Sequence, residues 1–314
     1  MGRYRTLALF SLLSLVWGSA FVVTKVGLDY LPPTLFAAFR FDVASVVLFG
    51  YAALKYDRLW PQTRGDWRQI VTGGVLLIGA HHAFLFAGQQ YVQSAVAAVL
   101  LGLIPVVTPA LTRALSSSER LSPTGLLGVL VGFLGVVIIA DPNPANLLSA
   151  NLRGVALVLA SAVVFALGAV LTHDTRPSLP TITLQAWMMA VGAGLLHVTS
   201  ALLPSESLAS AQWTFDAVAA LVYLSVVAGA LGFFLYFDLL DRLGPIEMSL
   251  IEYVIPLFAA VVGWVALGET PTVTTALGFL VIFVGFSLLK FEMLVREFQR
   301  IYGVVRRVRT ERNT

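Results

Sequence analysis

The stretch Ser249–Glu269, SLIEYVIPLFAAVVGWVALGE, decides how the rest of the chain is interpreted. It is almost entirely apolar and about as long as the roughly 20 residues with which an α-helix crosses a bilayer. Yet it contains Glu252, and a carboxylate in hydrocarbon costs several kcal/mol. Pro256 follows one turn later and removes a backbone hydrogen bond from the helix. Two costly residues in one apolar run indicate that the run does more than cross a membrane.

The composition indicates an all-α protein that crosses a membrane many times. Of the 314 residues, 58% are hydrophobic and 12% are charged, and the mean hydropathy is +0.86, whereas a soluble domain carries about 25% charged residues. The net charge of +3 is too small to favour nucleic acid as a partner. Because there is no cysteine, disulfides and thiolate metal sites are excluded. No catalytic cluster, cofactor or metal is expected, and no GxxxxGK[ST] phosphate loop is present.

Ten apolar runs, separated by short connections rich in proline and polar residues, are predicted to be transmembrane helices. The first run is longer than the core of a signal peptide, so we interpret it as a retained span. The approximate bounds are 6–28, 34–54, 68–89, 93–113, 122–140, 153–172, 181–203, 216–240, 244–268 and 272–290.

The basic residues predict the orientation of these spans. If the N-terminus is cytoplasmic, all but three of the 20 basic residues fall on the cytoplasmic side, the exceptions being Lys25, Arg40 and Arg153. Both termini are therefore predicted to be cytoplasmic, in the plasma membrane of a prokaryote. The tail 291–314 carries apolar residues at helical spacing among arginines, which predicts a basic amphipathic helix on the lipid surface. A frayed tail that only fixes the topology is the alternative.

The chain contains an internal repeat. Glu119–Ile138 aligns with Glu269–Leu288 at an offset of 150 residues, and a shift of one residue upstream brings Pro105 onto Pro256. Each half then has five spans, and an odd number of spans inserts the second half upside down relative to the first. Paired interrupted spans in such inverted repeats are typical of transporters with a substrate site near the membrane midplane. The halves are residues 6–140 and 153–290.

Several segments resemble one family. WGSAFVVTK (Trp17–Lys25), Phe39–Phe41, the run Ala97–Val137 and DRLGPIEMSLIEYVIPLFAAVVGWVALGE (Asp241–Glu269) are similar to EamA-type proteins of the drug/metabolite transporter (DMT) superfamily. The resemblance implies ten transmembrane helices as two inverted five-helix EamA repeats around a central cavity. It also implies export or exchange of small metabolites such as amino acids, or of toxic compounds. Glu252 departs from the family pattern, in which a small or uncharged residue is usual, and so indicates a substrate or coupling ion particular to this protein.

Ionisable side chains inside the spans are candidates for the substrate site. Glu252 is predicted to bind a proton or a cationic group, and Arg40 an anionic group such as a carboxylate. Adjacent helical residues point about 100° apart, so at most one of His81 and His82 faces a cavity squarely, and we assign His81. The alternative for each is a structural role, in interhelical hydrogen bonds or at the membrane interface.

Aromatic and proline residues complete the candidate site. Trp17, Tyr236 and Tyr253 are predicted to offer aromatic faces to a substrate, although aromatic residues in a bundle also serve packing. Pro105 and Pro256 are predicted to be hinges or helix breaks, where freed carbonyl groups can coordinate polar groups. Lys25 is expected to extend its side chain to the nearby interface.

These features predict a secondary-active transporter of a small organic molecule that works by alternating access, driven by a proton gradient or by exchange. A lipid or glycolipid flippase of the same fold is the alternative, and it predicts a lateral opening. A membrane-embedded enzyme using His81, His82, Glu252 and Asp238 is a weaker alternative, because it needs a metal or a nucleophile–base pair and the sequence offers no ligand cluster at proper spacing. A passive facilitator would show transport insensitive to pH and membrane potential. An oligomeric partner is not assigned.

Overall fold

The computed structural model describes residues 2–115, 123–140, 149–173, 175–243 and 251–289, and these residues form helices and loops without a β-strand. The predicted tail helix, 291–314, lies outside the described residues. The α-helices are α1 (Gly2–Leu28), α2 (Pro33–Lys55), α3 (Arg64–Thr72), α4 (His81–Gln89), α5 (Ser94–Leu101), α6 (Ile104–Leu115), α7 (Pro123–Ala140), α8 (Ala150–Thr172), α9 (Thr181–Leu202), α10 (Phe215–Val222), α11 (Gly232–Leu243), α12 (Ile251–Leu267) and α13 (Val273–Leu289).

Many of these helices can cross a membrane. In the described part of the chain, six helical stretches of 22–26 residues are long and apolar enough to do so, and four shorter apolar helices accompany them. Each coincides with one of the apolar runs predicted from the sequence. Large hydrophobic side chains such as Leu54 and Val265 lie exposed on the outside of the bundle, as expected of a surface that faces lipid.

Two of the spans contain a π-helical segment at corresponding places. Gly73–Ala80 joins α3 to α4, and Tyr223–Leu231 joins α10 to α11. Their first residues are 150 positions apart, the same offset that aligns the two halves of the sequence. Since π-helix is rare and is usually found at functional sites, its recurrence at this offset supports the internal repeat.

Helices α2 and α9 correspond to each other in the two halves and pack together in antiparallel directions. The Asp66 carboxylate, at the start of α3, accepts hydrogen bonds from the backbone N–H of Ser178 at 2.6 Å and of Leu179 at 3.0 Å, directly before α9. The connection after α2 therefore holds the beginning of α9. We call this end of the bundle, where α2 ends and α9 begins, the Asp66 end.

The reverse arrangement is present at the other end of the same pair. Glu206, in the connection after α9, accepts hydrogen bonds from the backbone N–H of Thr34 at 3.0 Å and of Leu35 at 3.1 Å, in the first turn of α2. A helix begins with unpaired N–H groups and a partial positive charge, so a carboxylate there is stabilising. Each connection thus caps the corresponding helix of the other half. We call this second end, where α1 ends and α2 begins, the Lys25 end.

Small residues allow a second corresponding pair, α7 and α13, to approach closely. A Cβ atom on Gly285 would lie 2.6 Å from the backbone nitrogen of Gly132 and 2.7 Å from the carbonyl oxygen of Gly128. A Cβ atom on Gly135 would likewise lie 2.7 Å from the carbonyl oxygen of Gly278. Gly128, Gly132 and Gly135 of α7 therefore form a helix–helix contact and lie outside the cavity described below.

The predicted proline interruptions differ between the two halves. The fourth span breaks at Gly102 and Leu103, and α6 restarts at Ile104 with Pro105 as its second residue, a position that needs no N–H donor. By contrast, α12 continues through Pro256 without a break. The role of both prolines as hinges stays a prediction.

Candidate functional site

A cavity lies inside the bundle, between α1 and α12 on one side and α2, α4 and α5 on the other. Its volume is about 210 Å³ and its wall is mostly apolar. Drug-sized ligands occupy pockets of roughly 300–1,000 Å³, so this cavity is suited to a smaller molecule. The polar side chains that line it are Thr24, Arg40, His81, His82, Gln89 and Glu252.

Arg40 brings a fixed positive charge to the cavity. It extends from α2, and its guanidinium lies over the rings of Phe41, at 5.0 Å, and Phe86, at 5.8 Å. Such contacts between a cation and aromatic faces are favourable. Among the described residues, no carboxylate forms an ion pair with it. The guanidinium therefore remains available to an anionic group in the cavity.

The two histidines follow directly on the first π-helical segment, and both line the cavity. Nδ1 of His82 lies 2.9 Å from the carbonyl oxygen of Ile78, which can only accept, so this nitrogen carries a hydrogen. Nδ1 of His81 lies 2.8 Å from the hydroxyl of Ser161 on α8. Both rings line the cavity, and the prediction that at most one of them faces it squarely stays a prediction.

Glu252 brings a carboxylate to the same cavity from the beginning of α12. No hydrogen bond or ion pair joins its side chain to another residue of the described ranges. By the 1.5 Å rise per residue, Arg40 lies roughly 10 Å and Glu252 roughly 22 Å from the Lys25 end of their helices. The cavity therefore presents a cation and an anion at different depths.

The three aromatic candidates lie in different surroundings. Trp17 lines the cavity and donates its indole N–H to the carbonyl oxygen of Ala228 at 3.2 Å. Tyr236 stacks on Trp17, with ring centroids 5.5 Å apart, and is not a lining residue. Tyr253 points away from the cavity and packs against Phe283 and Phe286 of α13, at 5.2 and 4.7 Å.

The structure thus brings together Trp17, Arg40, His81 and Glu252, and it places Tyr236 behind Trp17 and Tyr253 against α13. Consecutive helical residues point about 100° apart, which explains why Tyr253 does not share the wall with Glu252. The roles of all six residues in binding stay predictions.

Thr24 and Gln89 line the cavity but were not candidates from the sequence. Gln89 is 1% exposed, and its side-chain amide donates to the carbonyl oxygen of Phe21 at 3.1 Å, joining α4 to α1. A glutamine at the end of an apolar run is a weak signal, since polar residues are common at the ends of spans.

The Lys25 side chain forms an ion pair just beyond the end of α12. Its ammonium donates to Oε1 of Glu269 at 2.8 Å and to the carbonyl oxygen of Val92 at 2.9 Å. Oε2 of Glu269 in turn accepts from the backbone N–H of Ser94, at the beginning of α5, at 3.0 Å. These contacts join the ends of α1 and α12 to the beginning of α5. Residues separated by 244 positions in sequence form this ion pair, so no local pattern could have predicted it.

A second polar pair lies outside the cavity. Nε2 of His197 on α9 lies 2.6 Å from Oδ2 of Asp42 on α2, and the side chains are 38% and 44% exposed. The pair joins the two helices that the reciprocal caps hold together. Within the described ranges, no three His, Asp or Glu side chains come together as metal ligands would.

The comparisons with known proteins agree with this architecture. The model of the EamA-like transporter family matches residues 5–140 and 152–291. "Uncharacterized transporter YoaV" of Bacillus subtilis is 26% identical over 87% of this chain and 92% of its own length. "Uncharacterized inner membrane transporter YedA" of Escherichia coli is 26% identical over 84% of this chain and 83% of its own.

A solved structure titled "Crystal structure of protein" has the same fold, with a TM-score of 0.62 at 20% identity over 92% of this chain and 98% of that one. Together with the apolar helices, these similarities identify a multi-pass protein of the plasma membrane. Because the family model matches nearly the whole chain in two copies, the chain belongs to the EamA-like transporter family.

Proposed function

We propose that this protein is a secondary-active transporter that exports or exchanges a small organic metabolite by alternating access. In this proposal ten helices span the membrane as two inverted repeats, residues 6–140 and 153–290, and both termini are cytoplasmic. The antiparallel packing of α2 with α9 and of α7 with α13 supports the inversion. The proposed orientation places the Lys25 end on the outside.

One observation carries the proposal: an arginine and a glutamate, neither paired with another described residue, line one cavity inside the bundle. Ionisable residues inside a membrane protein are costly and commonly mark a substrate or ion path. The guanidinium of Arg40 is suited to an anionic group, such as a substrate carboxylate. The Glu252 carboxylate is suited to a cationic group or to a proton.

A cycle follows from this arrangement. The substrate enters from the cytoplasm and places its anionic group against Arg40 and its remaining polar groups against Glu252 and the histidines. The two halves then rock, so that the cavity closes toward the cytoplasm and opens at the Lys25 end. On the outside, a proton that binds Glu252 weakens its hold on a cationic group and favours release. The return of the protonated carrier couples export to the proton gradient.

The size of the cavity favours a small metabolite over a lipid. A diacyl lipid exceeds a volume of about 210 Å³ many times over and needs a lateral opening for its chains. The relatives are named transporters, which supports transport over an enzymatic activity.

The test is transport by the purified protein in proteoliposomes, with amino acids, nucleobases and organic cations as substrates, and with and without an imposed pH gradient. We expect at least one of these compounds to accumulate, and accumulation to increase with the pH gradient. If none accumulates while a fluorescent lipid is moved between leaflets, the lipid alternative is correct.

Variants in the same assay test the roles of the two charges. Arg40→Gln should raise the KM for an anionic or zwitterionic substrate by at least about tenfold, since a charge-assisted hydrogen bond contributes 1.5–3 kcal/mol or so. Glu252→Gln should leave transport insensitive to the pH gradient. Asp57→Asn, which changes an exposed carboxylate in the α2–α3 connection, is the matched control and should behave as the unaltered protein. A pH response retained by Glu252→Gln would exclude Glu252 as the proton site.

A further inference from the structure

Lys25 and Glu269 lie directly beyond the cavity at the Lys25 end. Thr24, the neighbour of Lys25 on α1, lines the cavity, and so does Gln89, three residues before Val92. The ammonium of Lys25 binds both Val92 and Glu269. Lys25 and Glu269 do not line the cavity themselves, but their ion pair joins α1 to α12 and to the α4–α5 connection next to the lining residues Thr24 and Gln89.

The pair is well shielded for an ion pair at the end of a span. The Glu269 side chain is 10% exposed and that of Lys25 is 28% exposed. Glu269 also caps α5 through the N–H of Ser94, and its carboxylate packs against Gly263, where a Cβ atom would lie 2.7 Å from Oε2. Both charges are thus held by several partners, which distinguishes this pair from a mobile surface pair of little energetic value.

The pair joins helices that the reciprocal caps do not join. Asp66 and Glu206 fasten α2 and α9 to each other at both ends. In contrast, Lys25 and Glu269 fasten α1, α5 and α12 to one another at the Lys25 end. The position that corresponds to Lys25 in the second half, 150 residues later, is Thr175, which is uncharged. The caps by Asp66 and Glu206 therefore hold α2 and α9 together. The ion pair of Lys25 and Glu269 holds a different group of helices, α1, α5 and α12, which can move apart at the Lys25 end when the pair breaks.

We propose that Lys25 and Glu269 form the gate at the outer end of the substrate path. Their ion pair closes the cavity toward the outside, and it has to break each time the substrate leaves or enters there. Breaking the pair releases α12 and the beginning of α5 from α1 in one step, because Glu269 holds both. The proposal rests on the proposed function, since a gate has meaning only for a cavity that opens alternately to the two sides.

The test measures access to the cavity without any substrate, so it remains informative if the transported molecule is wrongly identified. The chain contains no cysteine, and Ala20→Cys therefore introduces a single thiol into the cavity wall, less than two turns below Lys25. Membrane-impermeant methanethiosulfonate reagents, one cationic and one anionic, are added to right-side-out and to inverted vesicles. The use of both reagents separates access from the effect of the lost charge.

Lys25→Met in this background should increase the rate of labelling from the outside by about fivefold or more and decrease the rate from the inside. The reason is that a larger population of the outward-open state leaves a smaller population of the inward-open state. Lys25→Arg should keep both rates near their starting values. Lys55→Met removes an exposed cation at the opposite end of α2 and is the matched control, with both rates unchanged. An unchanged rate from the outside in Lys25→Met would overturn the proposal. A rise from both sides would also overturn it, because it would show that the pair only holds the bundle together.

Discussion

At the scale of single residues, Asp66 has more hydrogen bonds than any of the substrate-site candidates. Its carboxylate accepts from the N–H groups of Gln62 and Thr63 and from those of Ser178 and Leu179. It also completes a capping box with the hydroxyl of Thr63 at the beginning of α3. One fully buried side chain thus satisfies the beginnings of two helices from different halves.

Asp66→Ala should therefore destabilise the protein strongly. Four backbone N–H groups lose a charged acceptor, and the loss of one helix cap alone costs about 1 kcal/mol, so we expect a total cost of about 2–4 kcal/mol. The melting temperature in detergent measures the effect. Asp57→Asn, on the neighbouring connection, should leave the melting temperature within about 1 °C of the original value, since exposed substitutions change stability little. An equally small change for Asp66→Ala would contradict the importance of this cap.

At the scale of helices, two glycines make a matched pair for testing the contact between α7 and α13. Gly285 touches the backbone of α7, whereas a Cβ atom on Gly194 of α9 would meet nothing within 4 Å. Alanine is a better helix former than glycine by roughly 0.5–1 kcal/mol. We expect Gly194→Ala to raise the melting temperature slightly and Gly285→Ala to lower it, because the added methyl group forces the two helices apart. Similar shifts for both variants would show that the close approach of α7 and α13 is not needed.

At the scale of the whole molecule, the distribution of basic residues predicts an orientation in the membrane that can be tested directly. Asp57 lies in the connection between α2 and α3, Ser205 lies in the connection between α9 and α10, and both are exposed. Each is replaced by cysteine in a separate variant, Asp57→Cys or Ser205→Cys. A membrane-impermeant maleimide should label Ser205→Cys in intact spheroplasts and Asp57→Cys only after the membrane is opened. The opposite result would reverse the topology and place the proposed gate on the cytoplasmic side.

Hydropathy predicted most of this architecture, because the need to pair backbone groups in lipid leaves helices as the main solution for an apolar run. The offset of 150 residues predicted corresponding helices, and the cost of charge in hydrocarbon drew attention to Arg40, His81 and Glu252, which line one cavity. The two π-helical segments were not predicted. Every residue of Gly73–Ala80 is apolar or glycine, so no alternation of polar and apolar residues reveals the helical period there.

The contacts between distant residues were also beyond prediction from a single sequence. Lys25 and Glu269 each look like ordinary charged residues at the end of a span, and only the packing of α1 against α12 brings them together. Gly18 makes that packing possible, since a Cβ atom there would lie 2.9 Å from the carbonyl oxygen of Ile255. For the same reason, the sequence could not show that the Tyr253 side chain packs against α13 and not in the cavity. Its direction depends on the rotation of α12 about its axis, which the closeness of neighbouring helices determines.

The reciprocal caps also bear on how the chain is made. The N–H groups of Thr34 and Leu35 receive their carboxylate only after Glu206 has left the ribosome, about 170 residues later. Asp66 likewise waits for Ser178 to be synthesised. Each half therefore supplies a carboxylate that stabilises the beginning of the other half's second helix. Until the second half has been made, the first turn of α2 lacks this stabilisation. The two repeats thus stabilise each other, and we expect the first half alone to be less stable than the same residues in the whole chain.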